Sequence, residues 1–313
     1  MRRLVSAAAT VLAVYGLVAC GGSAAQRHST TAAHARTSSR AHRGGRVQTV
    51  RIRSGHRRRS YLLYVPPNDA ARHPLPLVLV FHGADSNARN AVVQTGLLTS
   101  DERTHFAILA FLQGVDNTWN DDAGEPPAER AHVNDIGFAR AVLQHVEAHH
   151  AVNMRRVVAT GLSNGAILVE LLGCRMARLL TLIVPVEGQM GARFAGNCHP
   201  GSPVSVYEVH ATGDQAIPYN GGTFIGVGGP VHVLSAPATV SEWARLDGCA
   251  QSAHNKQQGG SIITVFGSCQ GNVSVTLNTI QGGSHRWPPG FSGLLASVIA
   301  RQSSTRSAAT PAR

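Results

Sequence analysis

Five short apolar runs recur along the chain, and segments with helical periodicity separate several of them. Leu77-Val78-Leu79-Val80-Phe81 is the clearest; Ala107–Leu112, Arg156–Thr160, Thr181–Val186 and Val204–His210 follow. A run of this length without polar alternation is a strand buried on both faces, so both sides of its sheet must be covered. Asn134 offers an N-cap to a helix whose apolar stripe is Ile136, Ala139, Leu143 and Val146. Further helices are predicted over Asn164–Gly173 and Val240–Leu246, and a last strand over Val273–Ile280. Val47–Arg53 and Arg59–Val65 read as a leading hairpin that stops at Pro66-Pro67-Asn68. Strands alternating with helices predict an α/β fold with a mostly parallel sheet. No apolar run reaches the roughly 20 residues that span a bilayer, which argues against a polytopic membrane protein. No self-similar period suggests a solenoid or propeller.

The formal charge of +11 suggests a nucleic-acid partner until it is divided along the chain. Of 28 basic residues, 12 arginines fall in the first 60 positions, where there is no acid; 16 remain against 17 acids. The positive charge belongs to the N-terminal region, and no nucleic-acid partner is expected. Met1-Arg2-Arg3 followed by the apolar stretch Leu4–Ala19 reads as an export signal over residues 1–20. Its end, Leu17-Val18-Ala19-Cys20, resembles the lipobox of bacterial lipoproteins, which implies diacylglyceryl attachment at Cys20 and a membrane anchor. Residues 21–46 carry no large apolar side chain and are expected to be a disordered basic tether. With Cys20 set aside, Cys174, Cys198, Cys249 and Cys269 form an even set in an oxidising compartment. Three connectivities are open, of which the short-range one, Cys174–Cys198 and Cys249–Cys269, is preferred. Zinc is the competitor, but no C-x-x-C spacing accompanies these cysteines, and no metal is expected.

Gly161-Leu162-Ser163-Asn164-Gly165 matches G-x-S-x-G. The motif alone is weak; its position between a buried strand and a helix is what a sharp, strained nucleophile turn requires. A serine hydroxyl needs a base, and the base needs an acid to hold its tautomer. Asp214 follows the Val204–His210 strand and His285 follows the last strand, the Ser, Asp, His order of α/β-hydrolases. Glu187 and Asp247 compete with Asp214 in poorer contexts. The oxyanion of an acyl transfer needs two fixed N–H donors. The Asn164 amide and the Ala84 amide, after Phe81-His82-Gly83, are assigned to it, with His82 holding the loop.

Taken together, Leu79–Gly83, Val133–Phe138, Ala159–Ala166, His210–Asp214 with Pro218-Tyr219, Trp243 with Gly248-Cys249, and Gly282–Pro288 form a specific set. Over about residues 58–290 the chain resembles the secreted polyhydroxybutyrate depolymerase and feruloyl-esterase-like group of α/β-hydrolases. The resemblance implies an esterase for polyesters or acylated sugars, with Ser163, Asp214 and His285 as the triad. It places the two cysteine pairs at matching positions and Trp287 near the site; Trp119 is expected beside it in the substrate pocket. Ala84-Asp85 departs from the family loop, and an inward Asp85 carboxylate would oppose an oxyanion. Ser284 replaces a family glycine, and Arg301–Arg313 is polar after the apolar Phe291–Ile299.

The expected protein has a signal (1–20), a tether (21–46), a catalytic domain (47–300) and a disordered tail (301–313). It is expected to be an exported serine carboxylesterase that needs no cofactor. A catalytically silent surface lipoprotein on the same fold and a serine peptidase are the alternatives.

Overall fold

The computed structural model describes residues 45–67, 73–99, 106–250 and 252–306. The signal segment with Cys20, the tether to residue 44, and residues 307–313 lie outside the described residues.

A hairpin of β1 (Val47–Ser54) and β2 (Arg57–Tyr64) leads into β3 (Leu75–Phe81), α1 (Ala88–Thr95) and β4 (Ile108–Leu112). The short α2 (Pro127–Arg130) and long α3 (Asp135–His149) precede β5 (Val152–Leu162), α4 (Asn164–Met176), β6 (Leu182–Val186) and α5 (Ala192–Ala195). Next come β7 (Ser205–Ala211), the hairpin β8 (Gly222–Gly226) and β9 (Gly229–Val233), and α6 (Ala236–Leu246). The hairpin β10 (Ala253–Gln258) and β11 (Ser261–Phe266), then β12 (Val275–Ile280) and α7 (Phe291–Arg306), complete the order.

Among the described residues, ten strands form one sheet in the order β1-β2-β4-β3-β5-β6-β7-β12-β11-β10. The six central strands, β4 through β12 in that order, run parallel, and the outer pairs are antiparallel. The unbroken apolar runs are explained by this arrangement, because alternate residues of one strand enter two different cores. Leu77, Leu79 and Phe81 of β3 join Phe138 and Val142 of α3 and Leu168 of α4. Val78 and Val80 point the other way, against Ala91 of α1 and Leu295 of α7. The fold is the α/β-hydrolase architecture that the order of motifs predicts.

The C-terminus departs from expectation. The domain is expected to end at residue 300 with a disordered tail from residue 301, but α7 continues to Arg306. Phe291, Leu295, Val298 and Ile299 recur at helical spacing and are buried against the sheet. The Ser205 hydroxyl on β7 also bonds the Gln302 side chain at 2.8 Å.

Both short-range disulfides are present, Cys174–Cys198 and Cys249–Cys269. The first ties the end of α4 to the loop after α5. The second ties the segment after α6 to the exit of β11, closing a loop around the β10–β11 hairpin.

A buried ion pair sets the loop that borders the site. The Arg59 guanidinium donates to Asp135 Oδ1 at 2.7 Å and lies over the Phe138 ring, 3.9 Å from its centroid. Asp135 Oδ2 accepts from the Asn120 amide at 2.8 Å, which fixes the chain between β4 and α2. Pairing on both oxygens is what lets this carboxylate stay buried.

Candidate active site

Ser163 stands at the junction of β5 and α4 with φ 60° and ψ −127°, a region that costs a non-glycine residue about 1–3 kcal/mol. Its neighbours make that turn possible. A Cβ at Gly161 would lie 2.3 Å from the Gly165 carbonyl oxygen, and one at Gly165 would lie 2.4 Å from that of His82. The Ser163 N–H donates to the Val186 carbonyl at 3.0 Å, and its own carbonyl accepts from Ala166 and Ile167, starting the helix.

Asp214 and His285 meet because β7 and β12 are parallel neighbours, with Ala211 opposite Ile280. Their two exit loops are stapled. The Gly213 N–H donates to Gly282 O at 2.9 Å, and the Gly282 N–H donates to Thr212 Oγ1 at 2.9 Å. A Cβ at Gly213 would lie 2.6 Å from Gly283 O, so this approach requires glycine. Asp214 Oδ1 accepts from the Ala216 and Ile217 amides at 2.7 and 2.9 Å, and Oδ2 accepts from His285 Nδ1 at 2.7 Å. A carboxylate partner requires the proton on Nδ1, which leaves the Nε2 lone pair of a neutral imidazole available. Burial alone would raise the Asp214 carboxyl, but these donors and the nearby imidazole hold it below its ordinary value. No hydrogen bond joins Ser163 to His285 in this structure; such contacts often tighten only when substrate is bound.

The Ala84 and Asn164 backbone N–H groups have no hydrogen-bond partner among the described residues. Both residues line a cleft of about 380 Å³ with Ser163. His82 behaves as a loop holder: Nδ1–H donates to Gly83 O at 2.8 Å and Nε2 accepts from the Gly114 amide at 3.0 Å. Burial depresses this imidazole to about 4, so it stays neutral. Asp85 is exposed on a backbone with φ 56°, held by its amide to Asn117 O at 3.0 Å, and it does not line the cleft. Ser284 is exposed as well.

The placement of Trp119 and Trp287 in the substrate pocket is corrected. Trp119 is fully buried, and its indole N–H donates to the His82 carbonyl at 2.7 Å, bracing the loop that carries Ala84. Trp287 is buried against Phe291 in the core beneath α7. Neither lines the cleft. Its wall comes instead from Ile217 and from Phe224, Ile225 and Val231 of the β8–β9 hairpin. The sequence signal for that hairpin was Thr223-Phe224-Ile225 between two glycine clusters.

Asp121, also unforeseen, lines the cleft beside Ser163 and is 3% exposed. It accepts from Asn164 Nδ2 at 2.5 Å, while Asn164 Oδ1 accepts from the Trp119 amide at 2.8 Å. This brace fixes the first turn of α4. Burial pushes the Asp121 carboxyl up to about 7. A single acid in a polar loop carries no sequence mark of such a role.

Of the two acids that competed with Asp214, Asp247 accepts from the Val204 amide at 3.3 Å, away from the cleft lining. Glu187 is buried, and both of its carboxyl oxygens take the Ala211 amide, at 3.2 and 3.0 Å. Glu187, His210 and Asp214 bring one potential ligand atom each within 4.8 Å of the others, a spacing a cation could use. His210 Nε2, however, points at the Ile217 carbonyl at 3.0 Å, and an oxygen acceptor there requires a proton on that nitrogen. A protonated nitrogen is no ligand. His145 and His149, one helical turn apart on α3, stack at 4.4 Å and spend their Nδ1 atoms on Tyr61 and the His145 carbonyl.

Residues 59–269 match the family described as Esterase PHB depolymerase. Feruloyl esterase B of Piromyces equi is 26% identical over 182 residues, 57% of this chain. That alignment spans only 34% of the relative's own length. The putative esterase NocK of Nocardia uniformis subsp. tsuyamanensis is 27% identical over 250 residues, covering 75% of this chain and 72% of the relative. Among solved structures, an acetyl xylan esterase from Aspergillus awamori superposes with a TM-score of 0.59 at 12% identity, over 80% of this chain and 99% of its own. A CE1 ferulic acid esterase from Anaeromyces mucronatus gives a TM-score of 0.53 at 12% identity, over 87% and 94%. At such identities the structural likeness speaks for the fold alone.

Proposed function

The chain belongs to the Esterase PHB depolymerase family, and from that membership we propose that it hydrolyses carboxylic esters with Ser163, Asp214 and His285 as the triad. The single observation that carries the assignment is the Asp214–His285 hydrogen bond of 2.7 Å, held on stapled loops and leaving Nε2 as a base. Ser163 Oγ attacks the ester carbonyl carbon and its proton passes to His285 Nε2. The carbonyl oxygen becomes an oxyanion received by the Ala84 and Asn164 amides. The carbon–oxygen bond to the alcohol breaks, the alcohol leaves with the proton from Nε2, and water repeats the sequence on the acyl-enzyme.

Polyester of the hydroxybutyrate type and acylated polysaccharide are the substrate classes proposed, following the family and the feruloyl and acetyl xylan esterases it resembles. The apolar wall of Ile217, Phe224 and Ile225 suits an acyl chain or an aromatic acyl group. The test compares p-nitrophenyl acetate and butyrate with hydroxybutyrate oligomers, feruloylated arabinoxylan and acetylated xylan. Turnover of p-nitrophenyl esters and of at least one natural class is the expected result. Purified, folded protein that turns over none of them would favour the silent binding lipoprotein.

Export to an oxidising compartment is part of the same reading, supported by the two disulfides. Among the described residues no helix is long and apolar enough to cross a membrane. Attachment is proposed through Cys20. Two acyl chains suffice for firm anchoring, with the tether arginines adding only screened attraction. Cys20→Ser is expected to move the protein from the detergent to the aqueous phase without altering specific activity; equal aqueous partitioning of both forms would mean a simply cleaved signal.

A further inference from the structure

Directly after β6 stands Glu187, whose backbone turns at φ 50° and whose N–H donates to Val209 O at 2.9 Å. That turn carries the carboxyl group into the sheet, where it is 1% exposed. An oxygen of this carboxyl lies within 4.8 Å of an Asp214 carboxyl oxygen, and His210 Nε2 stands 3.5 Å from both groups. Two buried carboxyls this close do not both carry a charge, and the remaining partners decide which keeps the proton. Asp214 already accepts from three N–H groups, those of Ala216, Ile217 and His285. Glu187 has one N–H donor, the Ala211 amide, shared between its two oxygens. The charge is best solvated on Asp214, and the proton belongs on Glu187.

We propose that Glu187 is a positioning residue of the hydrolytic site: a neutral carboxylic acid that donates its O–H to Asp214 and keeps that side chain charged and aimed at His285. Glu187 is buried from solvent, so it acts through Asp214 and not on substrate. The inference rests on the Ser163, Asp214 and His285 assignment.

The surroundings agree. Burial, then the neighbouring Asp214, raise the Glu187 carboxyl to about 9. The other titratable groups packed here are His210 and Glu208 on β7 and Glu170 on α4. His210 Nε2 lies 3.5 Å from both Glu187 Oε2 and Asp214 Oδ2, and burial depresses it to about 4, so it supplies no positive charge. Glu208 and Glu170 are fully buried and raised by that burial, so they do not stabilise an anion at Glu187. Asp214 is the charged acid of the group, and a second charge would be unpaired.

The test compares Glu187→Gln with Glu187→Met in the full chain. Glutamine keeps a donor toward Asp214 and an acceptor for the Ala211 amide; methionine keeps the volume and neither. Glu187→Met is expected to lose about 10–100-fold in kcat with KM unchanged, the effect of one hydrogen bond to a charged group. Glu187→Gln should stay within about threefold of wild type at neutral pH. Ionisation gives the pH signature. Above about pH 9 wild type should lose activity as Glu187 ionises beside Asp214, and the glutamine form should lack that alkaline limb.

Stability should follow in sign. Folded Glu187 retains a proton that the unfolded chain releases above the ordinary carboxylate range, so wild-type stability falls as pH rises from there toward about 9. The fall should be shallower in Glu187→Gln. The deshielded proton NMR resonance of the His285–Asp214 bond gives a readout independent of turnover, kept with glutamine and shifted with methionine. Equal kcat in wild type and the methionine form, or equal losses in both variants with an unchanged resonance, would overturn the proposal. Ser163-dependent turnover by wild type keeps the parent assignment standing in either case.

Discussion

Ser163→Ala is expected to lower ester turnover by about 10⁴–10⁶-fold while the protein stays folded. The magnitude follows from what remains. Ala84 and Asn164 would still offer two N–H donors, and the cleft would still hold substrate, but no atom could form the acyl-enzyme. The turn at Ser163 is made by Gly161 and Gly165 and by the Val186 carbonyl, none of which involves the hydroxyl. Thermal midpoint and circular dichroism should therefore match wild type. The comparison is steady-state hydrolysis of p-nitrophenyl butyrate by both forms. A variant retaining a tenth of wild-type activity would remove Ser163 from the nucleophile's role.

Loss of either disulfide is expected to destabilise the fold by about 3 kcal/mol, since loops of 24 and 20 residues each restrict the unfolded chain by that amount in the chain-entropy model. For a domain of this size the shift would be about 6–12 °C in Tm per bond. The two bonds should fail differently. Cys174–Cys198 anchors the far end of α4, the helix that begins beside Ser163, and its loss as Cys174→Ala with Cys198→Ala should lower the midpoint of the whole domain. Cys249–Cys269 closes the loop holding β10 and β11, and every residue of β10 is exposed at the sheet edge. Cys249→Ala with Cys269→Ala should therefore also raise hydrogen exchange in that hairpin. Calorimetry of the two double variants checks the energies, and midpoints within 1 °C of wild type would contradict them.

How much of this was legible depended on whether a residue's role is local. Leu77–Phe81 announced a strand because burial on both faces removes every polar position, a signal carried in five consecutive residues. Asn134 announced a helix start because capping needs a side-chain acceptor three residues before an amide, and it does accept from Gly137 N at 2.7 Å. That Asp214 and His285 would meet was legible through the strands that precede them. The rest depended on the tertiary neighbourhood. Ala-His-Asn-Lys-Gln-Gln has no apolar alternation, so β10 is a strand only because β11 pairs with it. A tryptophan in a loop can as well face a ligand as a core; Trp119 took the core because the His82 carbonyl lies within reach of its N–H. Glu187 was visible as an acid after a strand and read as Asp214's competitor. That the two carboxyls are neighbours emerges only when β6 and β7 lie side by side. The end of α7 was misjudged because Arg301 onward is polar, although Gln302 has a hydrogen-bond partner on β7.

The central claim is that ester hydrolysis runs through a covalent bond to Ser163. A p-nitrophenyl alkylphosphonate mimics the tetrahedral intermediate and forms a stable phosphorus–oxygen bond with an activated serine, releasing p-nitrophenol. The full chain is incubated with it while activity, intact mass and a peptide map are followed together. The expected result is one phosphonyl group per molecule, on the peptide containing Gly161-Leu162-Ser163-Asn164-Gly165, formed in step with loss of activity and absent when His285 is replaced by alanine. Full activity in fully labelled protein, or inactivation with the label on any other residue, would contradict it.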